Sequence, residues 1–251
     1  MWRATETKKG VLLELFDLSQ GTFGDLIRTS EVIKKSAIHW PDGKAILIKF
    51  DIDIEEECVF FPYIYIFIEL FMELRRRFPF SLSVAVFEER LNAFVTVVDT
   101  SISLDRLGKI LKNPLSSESP CLKDLTTEDE KVKFVIQEGR GHLKDLRRIY
   151  IVNDGMVNPR KFADKAFDLY KMMRTKRVHK RTVIVGPAQL WQFCMLTFFL
   201  IKADKSAAIA LYEPLCLSEI VVYTKSKYFY PLFSVKRDII PFNRSFALRG
   251  L

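Results

Sequence analysis

Along the chain, apolar residues fall into short runs separated by longer amphipathic stretches, and the spacing changes between residues 147 and 212. Ile149-Tyr150-Ile151-Val152 reads as a strand that ends in Asn153-Asp154-Gly155. From Asn158 to Met173 the apolar positions Phe162, Ala166, Leu169, Tyr170 and Met173 recur at helical spacing, behind an Asn158 cap and a Pro159 at the first helical position. Thr182 to Val185 is a second strand, stopped by Gly186-Pro187, and an almost wholly apolar segment from Gln189 to Ile201 leads to a third at Ala207 to Tyr212. Strands alternating with helices predict an α/β fold, a mixed, largely parallel sheet flanked by helices in three layers.

The amino-terminal part adds similar signals. Ala45 to Phe50 reads as a buried strand that runs into the acidic segment Asp51 to Glu57, and Pro62 opens a helix that continues to about Arg77. Ser81 to Phe87 and Phe94 to Val98 read as strands around a turn, Leu104 to Leu111 as a short helix, and Lys133 to Gln137 as a further strand. Pro and Ser concentrate between Asn113 and Lys131, which makes this stretch the best internal boundary. No repeat of fixed period stands out.

Charge sharpens the division. Residues 1–138 carry 18 Lys and Arg against 23 Asp and Glu, a net of −5; residues 139–251 carry 21 against 8, a net of +13, and together they give the chain its +8. An acidic part, 1–138, and a basic part, 139–251, are therefore expected, and an anionic partner belongs to the second. Lys171, Arg174, Lys176, Arg177, Lys180 and Arg181 lie within eleven residues with no acid among them, and are the candidate anion-binding group. A charge run is most often a solvated face; the alternatives are acidic phospholipid or a phosphorylated headgroup, and nucleic acid. No aromatic-basic pattern of an RNA-recognition strand accompanies the run, which places lipid ahead of nucleic acid.

Catalytic signatures are sparse. Asp51 and Asp53 directly after a strand are the most enzyme-like pair, since an Asp-x-Asp there can bind Mg²⁺ and attack a phosphoryl group, as in haloacid-dehalogenase-like phosphatases. Ile54 and Glu55 depart from that family's motif, and an acidic lead-in to a helix explains the pair as well. His39, His142 and His179 are isolated, Cys58, Cys121, Cys194 and Cys216 lack metal-ligand spacing, and no phosphate loop or nucleophile elbow is present. No cofactor is expected. No secretory leader is recognisable from Met1 to Gly10, and the apolar segments fall short of the ~20 residues needed to cross a bilayer, so a cytoplasmic or peripheral membrane location is expected.

From Arg148 to Tyr212 the chain resembles the later part of a CRAL-TRIO lipid-binding domain, in the divergent form attached to Dbl-type guanine-nucleotide exchange factors. The strand ending in Asp154, the helix from Pro159, the strand to Val185, then Pro187, Leu190 and Trp191 fall in that family's order. The resemblance implies a closing strand at 207–212, a short helix at 215–220, and no catalysis. It also implies an apolar ligand pocket, for which Asp154, Trp191 and Phe198 are candidates, and contact with membrane or with a small-GTPase regulatory protein partner.

Overall fold

The computed structural model describes residues 2–8, 10–16, 18, 22–41, 43–51, 60–101, 103, 105–122, 125, 132–141, 144–153, 157–213, 218–225 and 231–237; of Ile38, His179, Lys180, Lys236 and Arg237 it gives the backbone alone. Twelve strands and four α-helices are seen in these residues, sorted into two six-stranded sheets. The first sheet is built from β1 (Trp2–Glu6), β2 (Gly10–Leu15), β3 (Ala45–Phe50), β4 (Ser83–Glu88), β5 (Ala93–Asp99) and β6 (Ile110–Lys112), in that spatial order. The second contains β7 (Val132–Glu138), β8 (Leu146–Asn153), β9 (His179–Val185), β10 (Ser206–Glu213), β11 (Ser218–Thr224) and β12 (Val235–Arg237). Helices α1 (Phe23–Ser36) and α2 (Phe61–Arg77) connect the parallel strands β2, β3 and β4; α3 (Pro159–Thr175) and α4 (Leu190–Ala203) connect β8, β9 and β10.

The expected single, largely parallel sheet is thus corrected. Each half has the same plan: two strands, helix, strand, helix, three strands, with one antiparallel pair, two parallel pairs and two more antiparallel pairs. The likeness extends to a register shift in the same hairpin, at Val84/Ala85 in β4 and at Ile209/Ala210 in β10. β7 pairs with β8, so the second structural half begins at Val132 rather than after Glu138. Residues 105–108 are turns and 110–112 a strand, where Leu104 to Leu111 is expected as a short helix; β11 begins at Ser218, where the resemblance implies a short helix.

Within each half both crossovers step across the sheet in one direction, so helices of one hand fall on one face. Those helix-bearing faces meet. Phe60 and Phe193 lie 5.6 Å apart near the starts of α2 and α4, Phe71 and Phe198 meet edge-on at 5.5 Å midway, and near both helix ends burial, with a smaller contribution from the Arg75 charge, lowers the pKa of Lys202. The two helices therefore run side by side in the same direction, inside one continuous apolar core drawn from both sheets. Phe233 of the second half adds a further tie, stacked on Phe23 at 4.6 Å and edge-on to Tyr65 at 4.7 Å.

Gly108 shows how closely the halves fit. Its φ is +69°, and a Cβ there would collide with the carbonyl of Pro159 at the start of α3. Beside it Arg160 donates to Asp105 at 3.2 Å. Gly108→Ala is expected to destabilise the protein by more than about 1 kcal/mol, since a left-handed conformation and a backbone clash both oppose the methyl group. A urea midpoint unchanged from the native protein would refute this.

Candidate anion-binding end

Helix α3 sets out the basic residues. Asn158 caps it, accepting from the Arg160 amide at 2.9 Å, and its buried stripe (Phe162, Ala166, Leu169, Tyr170 and Met173) fixes its rotation. Lys171 and Arg174 are thereby left exposed near its end. Lys171 is 3.2 Å from Asp168 and 4.4 Å over the Phe167 ring, and Arg174 lies 5.9 Å over Tyr170. Lys176 and Arg177 follow in the exposed connection to β9.

Two neighbours enlarge this group. Arg181 donates its amide to the Asp145 carbonyl at 3.2 Å, and Arg147 donates to the Arg177 carbonyl at 3.1 Å, which holds the β7–β8 turn against the α3–β9 connection. That turn brings the exposed Arg140 and Lys144 alongside. Among the described residues no ion pair engages Arg140, Lys144, Lys176 or Arg177. Arg147 itself is fully buried, 3.1 Å from Glu138, and burial pulls its pKa down against that carboxylate's opposing pull.

Arg181 does not belong with them. It lies largely buried on the sheet face away from the helices, 2.8 Å from Glu219, which Arg148 also reaches at 3.0 Å. The reason is strand alternation: Arg181 shares a side with Val183 and Val185, which pack in a separate cluster from the inward-facing Ile184. Lys180's side chain and Asp154 lie outside the described residues.

Exposed apolar residues interrupt the cations. Met172 retains 41% of its surface and Val178 57%, both within the basic stretch. The other pocket candidates are core residues: Trp191 lies edge-on to Phe162 at 5.2 Å with its indole N–H on Gln189 at 2.8 Å, and Phe198 packs on Phe71 and Phe199. Asp51 is exposed just beyond β3, and Asp53 lies outside the described residues. No cluster of three His, Cys, Asp or Glu able to hold a metal is found among the described residues.

The opposite end, at the carboxyl ends of the parallel strands, is built on two buried glutamates. Glu213, last in β10, accepts from the Phe61 amide at 3.0 Å at the start of α2; Glu88, last in β4, accepts from Gln189 at 3.4 Å at the start of α4. Each half thus presents an acid to the other half's helix amino terminus, where the helix dipole favours it. Burial raises both pKa values, that of Glu213 to about 7. Neither glutamate stands out in sequence; the only signal is an acid ending an apolar run. No helix among the described residues is long and apolar enough to cross a membrane. No protein-family model matches the chain, and no curated protein matches it.

Proposed function

We propose that the protein is a non-enzymatic binding module that docks on acidic phospholipid through the basic end of its second half. The observation that carries this reading is the exposure of Met172 and Val178 in a basic stretch where Arg174, Lys176 and Arg177 have no ion-pair partner among the described residues. Cations alone suit any polyanion. Apolar side chains standing among them gain only from a partner with an apolar interior beneath a charged surface, which is what an anionic bilayer offers and a nucleic-acid backbone does not. The outward rim of α3 and its following connection supplies the contact, while the buried stripe beneath holds it rigid.

Each basic residue near an acidic bilayer contributes about 1 kcal/mol, so neutralising Lys144, Arg174, Lys176 and Arg177 together should weaken association by roughly 4 kcal/mol. The binding should also fade with salt, because exposed charges are screened over about 8–10 Å near physiological ionic strength. Flotation with phosphatidylserine vesicles beside an RNA gel shift tests it. The reading is lost if native and quadruple-variant protein float alike, or if the variant loses RNA binding alone.

A further inference from the structure

The first half has its own unexplained feature at the same end. Helix α2 closes on Arg75, Arg76 and Arg77, and the turn that follows, Phe78-Pro79-Phe80-Ser81, leaves Phe80 with 91% of its surface in water. The turn is anchored, with the Phe78 amide on the Leu74 carbonyl at 2.7 Å and the Arg77 guanidinium on the Ala37 carbonyl. An anchored turn that holds a phenyl ring outward keeps apolar area exposed that a different side chain would spare.

Position decides what the ring can meet. Because α2 and α4 run side by side in one direction, and every helix leads from the carboxyl end of one parallel strand to the amino end of the next, all four helices finish at one end of the molecule. Phe80 precedes β4 there and Val178 precedes β9 there. Several acids at this end are already matched: Glu69 with Lys34 at 2.6 Å, Glu73 with Arg76 at 2.7 Å, Glu6 with Lys44, and Asp204 with Lys225. Exposed Lys35 and half-buried Arg75 have no ion-pair partner among the described residues. Cations near helix carboxyl termini complement the helix dipole, and that accounts for the charges. It does not account for Phe80, Met172 and Val178 beside them.

Resting on the membrane reading above, we infer that this end is one bilateral docking surface for an anionic phospholipid bilayer, with Phe80 inserting from the first half and Val178 from the second. Two insertion points on a two-sheet body restrict its tilt on the bilayer to rotation about the line that joins them, a restriction one point cannot impose. Each insertion multiplies the affinity contributed by the other, since both belong to the same binding event.

The test uses the full chain and vesicles of phosphatidylcholine with or without phosphatidylserine. Phe80→Ser and Val178→Ser should each weaken partitioning into the anionic vesicles roughly tenfold, and together roughly a hundredfold. Neither should lower the melting temperature, because both side chains are exposed. A Phe80→Trp variant should gain fluorescence that brominated phospholipid quenches. If Phe80→Ser partitions as the native protein does and the added Trp is not quenched, the bilateral surface is overturned, even where Val178→Ser still weakens binding and so preserves the one-sided contact. If none of these variants nor the four-charge variant changes partitioning, the membrane reading itself falls.

Discussion

Phe198→Ala should lower the free energy of unfolding by about 3–5 kcal/mol, the range for deleting a fully enclosed aromatic ring. Phe198 is 0% exposed, in a helix with no polar face: from Leu190 to Ala203 only Lys202 is not buried. Its ring meets Phe71 across the junction of the halves and Phe199 beside it, at 5.5 and 5.1 Å. The cavity left by alanine would open between α2 and α4, where Phe71 and Phe199 pack on the ring and a close-packed core relaxes only partly. Urea unfolding is the direct measurement. A cost below about 1 kcal/mol would place this helix on a surface and contradict the enclosed core.

Glu213 should make the protein lose stability as the pH rises through neutrality. Burial is the larger influence on its carboxyl, opposed by the amides of Phe61 and Phe60, and its pKa is raised from 4.5 to about 7. A carboxyl whose folded pKa lies above its unfolded value stabilises the fold fully below the unfolded value. That contribution is lost as pH climbs through the folded one, and here it amounts to roughly 3 kcal/mol. Glu88, also raised by burial, acts in the same direction. Glu213→Gln keeps an acceptor for the Phe61 amide but removes the titration. Urea midpoints at pH 5 and pH 8 should therefore differ less in the variant than in the native protein; equal differences would show that Glu213 is not the group responsible.

Much of the local structure is legible in the residues themselves. Asn158-Pro159 and the stripe from Phe162 announce α3, Pro62 announces α2, and the apolar run after Gln189 is α4. The pairing of strands is not legible, because a period of two says that a strand exists and nothing about its neighbour. The duplicated plan is hidden for a related reason: α2 and α4 are both enclosed by core, and enclosure asks only for apolar residues of suitable volume, so no shared sequence survives as a period. In the candidate site, Lys171 to Arg177 is visible as a run of charge. Arg140 and Lys144 join it only through the Arg147 and Arg181 hydrogen bonds, and Arg181 leaves it because its partner Glu219 lies on a strand far along the chain. Phe80 reads as one more apolar residue until its exposure is seen.

The reciprocal glutamates, Glu88 toward α4 and Glu213 toward α2, meet across halves that one polypeptide joins between Cys121 and Val132. In two separate molecules such an isologous pairing would depend on dilution, as any dimer does. Here the tether makes the encounter unimolecular, at an effective concentration that a free partner cannot reach in solution. The assembled pair therefore survives at any protein concentration, and only a break in that connection would make its stability a second-order quantity.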